Sequence, residues 1–346
     1  MTAHRWHRAS IAMDGKEPDR LTATELRSAS PEVREQYAAQ VRKWYRTQFF
    51  TTPDREAIAR HLSETVRANN DSPPGARTFM SVTGPNGAGK STFVKRWAME
   101  RYRESALGYP TSGPDGRPVW YPDPEKERDV VPVCWVNLPS AAKVKDLNSV
   151  ILEFLALPGE GVARLQTGRV LRACERHLVR LLIIDDAHLL NTGQKIGREV
   201  LDHVKVLNTE LGELGASIVL VGANLEGGEL LTDPQIAARL KAHFLGPIEV
   251  DTNEGKLKWQ TMLVAQERAL ALYLPGLSTG VLHDEFAGLL WKRTQGYLGD
   301  VRELLTECAG RAIEDGTGVI TGAHIKAVPL SARAEARQAA LEGARS

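Results

Sequence analysis

The chain has 346 residues, enough for about two domains, and carries 44 basic against 43 acidic side chains. That balance excludes a protein that seeks polyanions with its whole surface, while leaving room for a local basic patch. Its 42% hydrophobic and 25% charged content is that of a soluble globular protein with a sizeable core. Cys134, Cys174 and Cys308 have no CxxC or Cys/His zinc spacing, which fits buried thiols in a reducing compartment. No stretch reaches the ~18 apolar residues of a membrane helix, and the N-terminus lacks an apolar signal region. The expectation is a cytoplasmic protein with no membrane partner.

In chain order, residues 1–28 are polar and aperiodic and read as a loose arm. Ser30-Pro31 supplies a cap and a first-turn proline, and Val33, Tyr37, Val41 and Trp44 follow at helical spacing. Thr52-Pro53 repeats the start signal ahead of Ile58, Leu62 and Val66, and 69–75 reads as a turn-rich linker. A strand over 78–82 leads into a glycine-rich turn and a helix over 91–103. Residues 104–129, rich in proline and glycine, read as a long surface insertion. Strands are expected at 131–138, 179–184 and 217–222, with helices at 147–157, 162–177 and 194–214 between them. The apolar run 179–184 is what a strand covered on both faces requires. A short helix over 234–244 and a short strand over 248–250 follow. This alternation predicts an α/β fold, a parallel sheet flanked by helices. Helices at 254–270, 282–294, 299–315 and 321–327 then form a small all-helical domain. The expected divisions are 1–75, N-terminal arm and helices; 76–250, α/β domain; 251–328, helical lid; and 329–346, tail.

The turn Gly84-Pro85-Asn86-Gly87-Ala88-Gly89-Lys90-Ser91 matches the complete pattern GxxxxGK[ST], with a strand before it and a helix after. Its glycines let backbone N–H groups turn inward around phosphate oxygens. Lys90 supplies a point charge for the β and γ phosphates, Ser91 a hydroxyl for Mg²⁺, and Thr92 a contact to the α phosphate. The helix N-terminus adds its positive dipole end. Leu181-Leu182-Ile183-Ile184-Asp185-Asp186 is an apolar strand ending in acids, a Walker B element. There Asp185 holds Mg²⁺ through its water shell. Asp186 occupies the place where a glutamate usually polarises the attacking water. It is one methylene shorter, which predicts slow hydrolysis of ATP. His188 follows without a second histidine at ligand spacing and reads as a structural or coupling residue.

The spelling of the P-loop suits an ABC-type ATPase, but 138–180 carries no LSGGQ-like signature. The partial match Leu277-Ser278-Thr279-Gly280 lies on the wrong side of Asp185. From Walker B onward the chain resembles an AAA+ ATPase. In that resemblance Asn224, after the next strand, is sensor 1. Arg239, after Asp233-Pro234-Gln235-Ile236-Ala237-Ala238, is an arginine finger reaching a neighbouring subunit's γ phosphate. Arg302, in Gly299-Asp300-Val301-Arg302-Glu303-Leu304, is sensor 2.

Within AAA+ the chain resembles the transposition ATPases of the TniB/TnsC type. The stretches Phe50-Thr51-Thr52-Pro53-Asp54-Arg55, Ile184-Asp185-Asp186-Ala187-His188-Leu189-Leu190 and Val221-Gly222-Ala223-Asn224 carry it, together with the Arg239 region. The resemblance spans about 48–328. It departs in Asp186 for glutamate, in Ala223-Asn224 where a threonine is common, and in the 104–129 insertion. It implies an ATP-binding regulator that assembles as a ring or helical filament on double-stranded DNA. Such a regulator recruits a transposase, engages a target-selection protein, and is released by hydrolysis. Contacts would run to the DNA backbone, with Lys143 and Lys145 as candidates. Arg42, Lys43 and Arg46 around Trp44 and Tyr45 form a weaker basic–aromatic candidate. Two other readings stay open: a non-hydrolysing ATP-binding adaptor, and a STAND-like signalling ATPase, which normally carries a large sensor domain.

Overall fold

The computed structural model describes residues 1–190, 195–225 and 233–343. In chain order these form α1 (Ala3–Ile11), α2 (Ala23–Ser28), α3 (Pro31–Thr47), α4 (Pro53–Asp71), β1 (Phe79–Thr83) and α5 (Lys90–Ala106). Next come β2 (Thr111–Ser112), β3 (Arg117–Asp123), β4 (Lys126–Asp129), β5 (Val133–Asn137), α6 (Val144–Phe154) and α7 (Ala163–Arg176). Then follow β6 (Leu181–Asp185), α8 (Lys195–Glu213), β7 (Ser217–Val221), α9 (Pro234–Ala237), β8 (Leu240–Phe244) and α10 (Asn253–Ala271). The chain closes with a π turn (Val281–Glu285), α11 (Ala287–Thr294), α12 (Leu298–Glu314), α13 (Gly322–Ala327) and α14 (Ala332–Gly343).

Two compact units divide the chain: Met1–Met13, Ala57–Asn86 and Lys90–Leu245 in one, Asp14–Glu56, Gly87–Gly89 and Gly246–Ser346 in the other. The first is α/β. Its sheet runs β5-β6-β7-β1-β8, parallel throughout. Every residue of β1, β6 and β7 is buried, so their unbroken apolar runs reflect a sheet covered on both faces. α5 packs on β1, β5 and β7, α6 on β5 and α8 on β7. This is the expected parallel sheet flanked by helices.

Several local expectations change. Residues 1–28 are not a loose arm. Trp6 on α1 is fully buried, stacked on Trp135 at 5.7 Å and edge-on to Phe154 at 6.4 Å. His7 bonds the Tyr102 hydroxyl at 3.0 Å through Nδ1 and the Asp115 carbonyl at 2.8 Å through Nε2. Within the surface insertion, β2, β3 and β4 form a small antiparallel sheet. Gly113 and Gly116, both at positive φ, turn it, and Val119 is its buried anchor. The helix expected over 234–244 stops at Ala237. β8 replaces its second half, because Leu240–Phe244 can continue the sheet beside Phe79–Thr83. It is largely exposed, and Lys241 marks it as a charged sheet edge. Residues 248–250 form no strand; the Ile248 amide instead donates to the Gly296 carbonyl at 3.0 Å.

The second unit is helical. α3 lies along α12, and Trp44, Tyr45, Tyr273, Leu263, Leu304 and Cys308 share its core. The aromatics of α3 are therefore core, and no basic–aromatic surface exists there. Arg42 pairs with Glu307 and Glu314, and Arg46 with Glu303 and Glu307. The buried carboxylate of Glu267 accepts from the Gly280 and Leu282 amides at 2.9 and 2.7 Å, holding the π turn. The tail is helical: α14 is tied by Arg293–Glu335 at 3.0 Å and by Arg333–Asp300. Trp6 belongs to the α/β core, and α2 and α3 to the helical one. All three cysteines are buried and free; burial pushes the Cys174 and Cys308 thiols up to about 12. Among the described residues no helix is long and apolar enough to cross a membrane.

Candidate nucleotide site

β1 ends at Thr83 and the chain turns at Gly84, φ +142°. A Cβ there would stand 2.2 Å from the Leu245 carbonyl oxygen, so only glycine fits. Gly87 and Gly89 also hold positive φ, +81° and +84°. Asn86 and Gly87 are exposed, Pro85 and Gly89 partly so, and Ala88 is buried. The N–H groups of Asn86, Gly87, Ala88 and Gly89 donate to no backbone acceptor among the described residues. Successive inward N–H groups of this kind form an anion cradle. α5 begins at Lys90, whose Nζ donates to the Gly84 and Pro85 carbonyls at 3.0 and 2.8 Å. Thr92 is exposed on the first turn of α5.

The Ser91 hydroxyl donates to Asp185 Oδ1 at 3.0 Å, so the phosphate turn and the end of β6 meet across 94 residues of sequence. Asp185 is 5% exposed. Burial raises its pKa above the ordinary carboxylate value, opposed by bonds from the Asp186 amide and Ser91. A hydroxyl and a buried carboxylate at this spacing are an oxygen donor set that suits Mg²⁺. Asp186 takes a left-handed backbone, φ +58°, and is partly exposed. Its Oδ2 accepts from the Asn137 amide at 3.3 Å. Asn137 was not among the expected residues. It ends β5 in register with Asp185, and its Oδ1 in turn accepts from Trp135 Nε1 at 3.2 Å.

Asn224 also has a left-handed backbone, φ +48°, and an exposed side chain. Its amide donates to the Gly84 carbonyl at 3.3 Å, which sets it beside the start of the turn. Next to it the Leu225 amide donates to Thr83 Oγ1 at 2.8 Å. Arg239 is exposed just before β8; its carbonyl accepts from the Phe79 amide at 2.9 Å. Arg302 lies in the helical unit, partly buried on α12, with its charge felt at Tyr45. Within that unit a Cβ on Gly87 would stand 3.7 Å from the Tyr297 ring, and one on Gly299 3.8 Å from the Gly87 carbonyl. Lys143 and Lys145 are exposed at the start of α6, where the Lys143 amide donates to Asp146 Oδ2 at 2.8 Å. His188 joins no metal cluster among the described residues, and its buried Nδ1 lacks a partner. A second unexpected residue is Arg55, buried against the Ala88 carbonyl.

The sheet order, with the phosphate turn after the strand between β7 and β8, and the Ser91–Asp185 pairing define a P-loop protein of the AAA+ class. The fold is similar to that of ORC2 from Aeropyrum pernix, solved as ADPNP–ADP complexes. The TM-score is 0.50 at 14% identity, over 81% of this chain and 69% of that one. A Walker-type ATPase of Pyrococcus abyssi matches at TM-score 0.46 and 16% identity, over 76% and 71% of the two chains. AMPPCP-bound DnaA of Aquifex aeolicus matches at 0.36 and 16%, over 75% and 68%. Among curated proteins none matches the sequence. The family described as bacterial TniB protein matches residues 40–249, more than half of the chain. The chain is a member of the TniB family.

Proposed function

We propose that this chain is an ATP-dependent regulator of DNA transposition that oligomerises on double-stranded DNA with ATP bound and recruits or activates a transposase. The observation that carries the nucleotide half of the reading is Ser91 Oγ at 3.0 Å from Asp185 Oδ1, beside Lys90 at the end of the N–H cradle. The TniB membership carries the transposition half. Gly84, Pro85, Asn86, Gly87, Ala88, Gly89, Lys90, Ser91 and Thr92 bind the phosphates, and Ser91 and Asp185 hold Mg²⁺. When bound, Mg²⁺ neutralises phosphate charge. Asp186 orients the attacking water and Asn224 senses the γ phosphate. Arg239 reaches the neighbouring subunit's nucleotide, for which its exposure leaves it available. Arg302 is the proposed sensor 2 residue for the nucleotide. Lys143 and Lys145 are the proposed DNA-backbone contacts, and a target-selection protein is a further partner. Slow hydrolysis releases the assembly.

Electron microscopy with a non-hydrolysable ATP analogue and duplex DNA tests this reading. Rings or filaments are expected, and persistent monomers across salt concentrations overturn it. Lys90→Ala should abolish nucleotide binding. A second reading, an ATP-binding adaptor without turnover, is favoured by the short Asp186 side chain and its tie to Asn137. Phosphate release that stays at background in wild type and in Asp186→Glu supports the adaptor. Faster release in Asp186→Glu supports a site tuned to be slow.

A further inference from the structure

Arg55 stands in the first turn of α4 and is 7% exposed. Its Nη2 donates to the Ala88 carbonyl oxygen at 2.9 Å, and Nη1 faces Gly89, 3.7 Å from where a Cβ would lie. Among the described residues no carboxylate pairs with it, and burial alone acts on its charge, drawing its pKa down to about 10. A desolvated cation without a counter-charge is unfavourable in a nucleotide-free protein. Packing alone would be served better by an apolar side chain of the same length.

The Ala88 carbonyl suggests what the guanidinium is for. In a trans peptide the C=O and the next N–H point in opposite directions, and the chain has no cis peptides. Fixing the Ala88 oxygen on Arg55 therefore fixes the Gly89 N–H on the other side. That N–H is one of the cradle groups with no backbone acceptor. The hydrogen bond sets the direction of one cradle donor, and the charge behind it lacks the anion that a polyphosphate supplies.

We propose that Arg55 is a positioning residue of the phosphate site, which aims the Ala88–Gly89 peptide and adds a positive charge behind it, so that it selects for polyphosphate rather than for base or sugar. The proposal rests on the nucleotide-binding reading above.

The test uses the full chain, as wild type, Arg55→Met, Arg55→Lys and Lys90→Ala, titrated with fluorescent ATP and by AMP displacement. Melting without nucleotide is recorded alongside. Arg55→Met should weaken ATP binding about tenfold or more, worth ~1.4 kcal/mol per tenfold, and change AMP binding less than about twofold. Its nucleotide-free melting temperature should equal or exceed that of wild type, because an uncompensated charge has gone. Arg55→Lys keeps the charge without the planar fork and should recover part of the affinity. The proposal is overturned if Arg55→Met binds ATP within about twofold of wild type while Lys90→Ala does not bind. It is also overturned if ATP and AMP weaken equally, or if the nucleotide-free protein melts lower in step with the lost affinity. Wild type that fails to bind ATP overturns the nucleotide reading itself.

Discussion

Asp185 and Asp186 are adjacent in sequence and have opposite surroundings. The first is 5% exposed with its pKa raised by burial; the second is partly exposed and tied to Asn137. The sign of the Asp185 effect follows from linkage. Its folded pKa lies above its unfolded value, so as pH falls the folded chain takes up this proton first. Its ionisation therefore costs stability above the folded pKa, and the cost is relieved as pH falls through it. Asp185→Asn should melt no lower than wild type at neutral pH without nucleotide, and should lose the Mg²⁺ dependence of nucleotide binding; thermal melts with and without Mg²⁺–ATP check both. Asn137→Ala removes a long, exposed hydrogen bond, worth no more than about 1 kcal/mol, and frees Asp186 to turn. Phosphate release should rise several-fold, by less than about tenfold, while ATP affinity stays put. A fall in turnover would instead make Asn137 the residue that aims Asp186. The acids were legible because the apolar run and its terminal carboxylates are contiguous. Asn137 was not, since its relation to Asp186 exists only through the pairing of β5 with β6, 49 residues apart. Arg55 lay inside a stretch already singled out, but its burial against Ala88 depends on tertiary packing.

At the scale of elements, the buried strands were legible to within two residues because both faces are covered and no alternation competes. The failures share another cause. α1 buries Trp6, His7 and Ser10, two of which are polar, so its periodicity carries little apolar signal. One indole nevertheless commits the segment: Trp6 sits wholly in the α/β core against Trp135. Trp6→Ala should destabilise the chain by about 3–5 kcal/mol, the range for emptying a buried aromatic site. A denaturant titration will show a lower midpoint, and an unchanged midpoint would mean that α1 is dispensable. In the 104–129 segment prolines and glycines read as a surface insertion, whereas Gly113 and Gly116 turn β2 into β3, and β3 is joined to β4 by Arg117–Glu127 and Arg117–Asp129 pairs at 2.9 and 3.1 Å. Residues 240–244 read as helix because their polar side chains hide a strand that needs β1 to exist.

In the α/β unit, buried His203 and half-buried His177 and His243 are expected to set how the chain responds to acid. His177, His203 and His243 all belong to the α/β unit, and burial lowers the pKa of each. His203 bonds Asn148 Oδ1 at 2.8 Å through Nε2, and His177 bonds the Asp129 carbonyl at 3.0 Å through Nδ1. His61 and Lys241 further disfavour a charge on His243. A histidine whose folded pKa is depressed contributes stability that is complete above its unfolded value, near 6.5. That stability is lost as pH falls through the folded pKa, because the unfolded chain then binds the extra proton. Three such groups act in the same direction, while Asp185 acts oppositely. The melting temperature should therefore fall as pH is lowered from about 7.5 to 5.5. His203→Gln keeps a donor toward Asn148 but cannot titrate, and should flatten that slope without abolishing it. Melts of both proteins across this range decide the matter: parallel slopes would assign the acid response elsewhere. A flatter slope in the variant would place part of the acid response at His203, where α8 meets α6 through Asn148.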